Sequence, residues 1–134
     1  MDGNKRTVQI NVDTDIVTAR QEGRALAASL GFSSSEQVLI ATAISEAARN
    51  ILLYAGTGTI TSSYLEEGSK RGILIVVRDE GPGISDVAQA MVDGYSTSGG
   101  LGLGLPGMKR LMDELDIISE GGKGTTLIMK RWKL

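Results

Sequence analysis

The sequence predicts an α+β fold, a two-layer α/β sandwich in which a mixed, mostly antiparallel sheet is covered on one face by three main helices. Three observations lead there. Apolar residues recur at helical spacing in separate stretches. Two apolar, alternating runs flank one polar turn, the pattern of an antiparallel hairpin. A second pair of such runs closes the chain around Gly121-Gly122-Lys123-Gly124.

The elements follow in order. Residues 7–12, Thr-Val-Gln-Ile-Asn-Val, alternate and read as a strand. Asp13 or Thr14 caps a helix over 15–30, closed by Gly31. Ser34 or Ser35 caps a second helix with Glu36 and Gln37 in its first turn. Its apolar residues Val38, Ala41, Ile44, Ala48, Ile51 and Leu52 keep the helical period, and it ends near Ala55-Gly56. Residues 58–65 and 73–78 are strands across the turn 66–72, the second ending at Asp79. A long irregular stretch, 80–104, holds many of the glycines and a short helix at 86–92. So long a gap inside a compact domain reads as a functional lid. Residues 105–114 are helical, with Pro106 tolerated in the first turn. Residues 115–120 and 125–132 are the last two strands.

Composition bounds the chemistry. A chain of 134 residues, 41% apolar and 22% charged, reads as a single domain over 1–134 with a continuous core. The net charge of −2 and the lack of a basic run argue against nucleic acid as partner. Neither Cys nor His is present, which excludes disulfides, thiolate nucleophiles, histidine triads and Cys/His metal sites. No apolar run is long enough to span a bilayer and no leader is visible, so a cytoplasmic protein is expected. Glycine is the anomaly: 18 residues, about twice average usage, imply backbone that turns sharply or approaches something closely.

Four motifs carry possible chemistry. Glu46 and Asn50, at i and i+4, put a carboxylate and an amide oxygen one turn apart on one helix face, with Tyr54 continuing the row. The carboxylate suits proton acceptance and the amide oxygen suits a hard cation. Alone, the pair better fits a solvated face beside Arg49. Asp79-Glu80-Gly81-Pro82-Gly83 follows an apolar strand, where an Asp accepts from an exocyclic amine and the glycines admit a flat ring. It also suits a tight turn. The run from Ser96-Thr97-Ser98 through Gly99-Gly100-Leu101-Gly102-Leu103-Gly104 opens the third helix and offers free N–H groups to a phosphate. Lys109 fits that site, or the surface. The loop is neither a Walker A loop nor a Rossmann fingerprint. Finally, Gly124-Thr125-Thr126 enters the last strand, where a Thr hydroxyl reaches a base through water or simply starts a strand.

The order of these motifs resembles the ATP-binding (Bergerat) fold of histidine kinases, type II topoisomerases, Hsp90 and mismatch-repair ATPases, over nearly the whole chain. The runs Ile44-Ser45-Glu46-Ala47-Ala48-Arg49-Asn50-Ile51 and 94–107 are most similar to the stand-alone serine/threonine kinases of bacterial stress switches. The resemblance implies ATP and Mg²⁺ as cofactors, with Glu46 as general base and Asn50 on the metal. It implies Asp79 on the adenine amine, Gly81 and Gly83 shaping the base pocket, and Thr125 near the base. Ser98, Gly100, Gly102 and Gly104 would surround the phosphates. Implied partners are STAS-domain stressosome proteins as substrates and a PP2C-type phosphatase as activated target. The alternative is an anti-sigma factor that sequesters a sigma subunit and phosphorylates an anti-anti-sigma STAS protein. Arg49 either neutralises transferred phosphoryl charge or pairs with Glu46. The first helix and 66–72 are candidate partner surfaces.

Overall fold

In the computed structural model, residues 5–81, 104–119 and 124–133 are described. Their elements are β1 (Arg6–Ile10), α1 (Thr14–Ser29), α2 (Ser34–Tyr54), β2 (Gly58–Glu67), β3 (Lys70–Asp79), α3 (Gly104–Leu111), β4 (Glu114–Ser119) and β5 (Thr125–Trp132). The sheet order is β1-β2-β3-β5-β4. Every pairing among the described strands is antiparallel, so the parallel component expected of a mixed sheet is missing there. The expected short helix at 86–92 lies outside the described residues.

Register assigns the faces, because residues directly opposite each other point the same way. Val8, Ile60, Val77, Leu127 and Ile117 form one row across all the strands. Ile75, Met129 and Leu115 belong to the next. These join Leu26, Ile40, Ala43, Ile44, Ala47, Ile51 and Met108 from the helices in one core. The opposite sheet face presents Thr59, Arg78, Thr126 and Ile118.

Local chemistry explains each helix. The Asp13 side chain makes no cap bond. Instead Asp15 Oδ2 accepts from the N–H groups of Asn11 (2.8 Å) and Val12 (3.0 Å), fixing the entry to α1. Gly31, at φ +90°, ends it as expected. Helix α2 is capped by Ser33, not by Ser34 or Ser35: Glu36 N–H donates to Ser33 Oγ while Glu36 Oε1 accepts from Ser33 N–H. The acidic residue three places on selects Ser33 as the cap, because only that spacing closes a capping box. Val38 points outward, 47% exposed, because the buried arc of α2 runs through Ile40, Ile44, Ala47 and Ile51.

Beyond shifts of one or two residues, as at β1, which ends at Ile10 rather than 12, two boundaries differ from expectation. The β2–β3 hairpin keeps its ladder to Glu67–Lys70, so the turn is only Gly68-Ser69 rather than 66–72. Helix α3 stops at Leu111, and Asp113 N–H already donates to Lys130 O (2.9 Å), committing Glu114 to β4. No described helix is long and apolar enough to cross a membrane.

Candidate functional site

The sheet fixes one half of the site. Ile10, Gly58, Asp79, Thr125 and Ser119 form the last row on the helix-bearing face, at one end of the sheet. The strand pattern therefore brings Asp79 and Thr125 side by side although they lie far apart in sequence. Asp79 Oδ1 accepts from Gly81 N–H (3.0 Å) and more weakly from Thr125 N–H (3.3 Å). A carboxylate oxygen gripped by two backbone donors is oriented, and its charge is stabilised by the bonds. Ser119 Oγ lies 3.1 Å from Thr125 Oγ1 and donates to Gly124 O (3.1 Å). Sequence reasoning missed Ser119. Only the register of β4 on β5 reveals it, since nothing in the order of residues marks it.

Two glycines make this corner possible. Gly124 stands at φ +88°, and a Cβ there would run into the carbonyl oxygen of Asp79 and lie 3.0 Å from Glu80 Cα. A Cβ on Gly81 would lie 2.6 Å from Ala55 Cβ and 3.1 Å from Tyr54 O. Its bare backbone is thus already used by the end of α2, a reason separate from closeness to a flat ring. The same packing presses α2 onto the site: a Cβ on Gly58, the cross-strand partner of Asp79, would lie 3.0 Å from Ile51 Cγ2.

The other half is α2 itself. Its 3.6-residue turn stacks Glu46 under Asn50, one residue before the Ile51 that covers Gly58. Asn50 is half-buried. The Glu46 side chain is only 13% exposed, which rules out a fully solvated face. Arg49 Nη1 donates to Glu46 Oε1 at 2.7 Å, so the guanidinium pairs with the acid on its own helix. Tyr54, at the end of the row, is exposed.

Gly104 begins α3, whose first-turn N–H groups have no partner within the helix. Lys109 is exposed in the last turn of α3, where it complements the negative end of the dipole. That is the end opposite to an N-terminal phosphate site. Gly83, Ser98, Gly100 and Gly102 lie outside the described residues. Among the described residues, no three Asp or Glu side chains gather to hold a metal.

Known proteins are similar to this chain in sequence and in fold. The profile of the histidine kinase-like ATPase domain matches residues 11–131. The serine/threonine-protein kinase RsbT of Bacillus subtilis is 52% identical over 125 residues, 93% of this chain and 94% of its own length. The anti-sigma F factor of Halalkalibacterium halodurans is 34% identical over 118 residues, 84% of this chain and 81% of its own. That of Thermoanaerobacter sp. (strain X514) is 37% identical over 120 residues, 85% of this chain and 82% of its own. A crystal structure of the RsbU and RsbW domains of a Mycobacterium tuberculosis protein superposes with a TM-score of 0.62 at 21% identity. It covers 96% of this chain, which spans about a third (33%) of that larger one, and the likeness is one of fold.

Proposed function

Because the chain belongs to the histidine kinase-like ATPase family and is a serine/threonine kinase by its likeness to a curated one, we propose that it works in a bacterial stress-response partner switch. It moves the γ-phosphoryl group of ATP to Ser or Thr of STAS-domain stressosome proteins. Once released from them, it binds and activates a PP2C-type phosphatase. The observation that carries the kinase reading is the placement of α2, with Glu46 and Asn50 one turn apart, against the sheet end where Asp79 is held by two backbone donors. In this reading the chain works in the cytoplasm, where ATP is supplied.

In this reading the Asp79 carboxylate accepts from the adenine amine, its orientation kept by Gly81 and Thr125 N–H. Gly81 and Gly83 shape the base pocket, with Thr125 at its edge. Ser98, Gly100, Gly102 and Gly104 receive the phosphates, joined by the open N–H groups of the first turn of α3. Asn50 would offer Mg²⁺ one hard amide oxygen. That ion neutralises phosphate charge when bound. Glu46 accepts the proton of the acceptor hydroxyl. The hydroxyl oxygen bonds to the γ-phosphorus, the bond to the β–γ bridging oxygen breaks, and its electron pair leaves with ADP. The transition state is loose, so alignment counts for more than base strength.

The test is transfer from γ-labelled MgATP by the purified chain into a lysate of its own source, with Asn50→Ala as control. Labelling of STAS-type proteins on Ser or Thr that disappears in the control supports the reading. No labelling, with MgATP still bound, favours a sequestering role. The identity with anti-sigma F factors supports a second reading, in which the chain captures a sigma factor and phosphorylates an anti-anti-sigma STAS protein; it also predicts labelling, and capture of a sigma factor distinguishes it.

A further inference from the structure

We infer that Arg49 is a positioning residue for phosphoryl transfer, acting through Glu46 rather than on the nucleotide; this rests on Glu46 being the base. The geometry is specific. Arg49 Nη1 sits 2.7 Å from Glu46 Oε1, at the short end of charge-assisted hydrogen bonds. The acid side chain is 13% exposed, whereas the arginine is 47% exposed. One partner is sheltered in the site and the other reaches in from the rim.

Fold stability is a poor reason for this pair. A half-exposed ion pair within one helix contributes little. Helix α2 already has a capping box and a long buried arc to hold it. A glutamate, however, has several rotatable bonds, and its carboxylate must meet an acceptor hydroxyl in one orientation. Bonding Oε1 to the guanidinium restricts the turning of the carboxylate plane, so that it meets the acceptor hydroxyl in one orientation. The hydroxyl oxygen then bonds to the γ-phosphorus as ADP departs with the electron pair of the broken bond. Arg49 contributes no atom to the exchange.

The experiment measures single-turnover transfer from MgATP to a purified STAS-domain acceptor of the same source. MgATP affinity and thermal midpoint are measured in parallel. Arg49→Met should slow transfer about tenfold to a hundredfold, the cost of a misplaced group. It should leave MgATP affinity within about twofold, because Arg49 acts on the base. Arg49→Lys should recover part of the rate, since a cation remains without the planar fork. In a Glu46→Gln background, Arg49→Met should add no further loss, because the two act as one unit. Wild-type transfer by Arg49→Met overturns the inference. So does an equal loss in the Glu46→Gln background, or a tenfold loss of MgATP affinity, which would put Arg49 on the phosphates. Wild-type transfer by Glu46→Gln overturns the base assignment itself, a distinct result.

Discussion

Replacing Gly124 by alanine tests whether the corner of the sheet holds Asp79. Gly124 stands at φ +88°, where an L-residue costs about 1–2 kcal/mol. The new Cβ would run into Asp79 O and approach Glu80 Cα at 3.0 Å. Both neighbours are backbone, so relief requires a shift of β3 against β5, costing about another 1–3 kcal/mol. The sum is about 2–5 kcal/mol. At about 2.1 cal/mol/K of unfolding entropy per residue, a chain of this length loses about 3.6 °C of midpoint per kcal/mol, so Tm should fall by about 7–18 °C. The same shift moves the carboxylate that Gly81 and Thr125 orient, and MgATP affinity should fall with it. Gly68→Ala serves as control. It stands at φ +62° in the β2–β3 turn with nothing within 4 Å of an added Cβ, so it carries the backbone cost without the clash. It should stay within about 2 kcal/mol of wild type and bind MgATP normally. The assays are scanning calorimetry and nucleotide titration. A Gly124→Ala protein that melts within about 2 °C of wild type and binds MgATP normally would refute the reasoning.

Three further outcomes are expected. Ile44→Ala empties a fully buried position between α1 and α2 and should cost about 2–5 kcal/mol, read as a lower denaturation midpoint at unchanged slope. Ser33→Ala removes the acceptor of Glu36 N–H and should cost about 1 kcal/mol in the same assay. The Tyr64 phenol should titrate above the ordinary tyrosine range, first because it donates to Glu66 Oε2 at 2.7 Å, then through desolvation and the Glu66 charge, with Arg71 opposing. A raised folded value binds the proton more tightly in the native state. Its contribution is complete below the unfolded pKa and fades as pH rises through the folded one. Ring-carbon NMR should show Glu66→Gln lowering the Tyr64 midpoint.

Elements with their own punctuation were legible in the sequence. Residues 125–132 were expected as a strand and Thr125–Trp132 is one. The ends of α1 and α2 were marked by Gly31 and Gly56, both at positive φ. The turn 66–72 was overestimated because Glu66, Glu67, Lys70 and Arg71 are polar and exposed yet still paired, in a ladder that runs beyond the buried rows. Polarity reports burial, whereas the ladder depends only on backbone. For the site, the i, i+4 spacing placed Glu46 and Asn50 correctly on one face. The juxtaposition of Asp79, Thr125 and Ser119 was out of reach, because it depends on which strands pair and in what register. The pairing of Arg49 with Glu46 was one of two open readings, and only rotamers distinguish them.

The strand order has a bearing on synthesis. β5 follows β4 in sequence yet lies between β3 and β4 in the sheet. While the chain is being made, β1, β2 and β3 can assemble as a meander, but the free edge of β3 waits for residues some 46 positions downstream of Asp79. β4 emerges with no partner at all until β5 arrives. Long-range pairing of this kind is slow, and an open apolar edge invites pairing with another chain. Premature termination before 125 therefore leaves a nascent polypeptide with one edge of β3 unpaired and Asp79 without its Thr125 donor. Such a fragment is a substrate for chaperones and proteases, and the whole chain becomes competent only when its final strand slots into the middle.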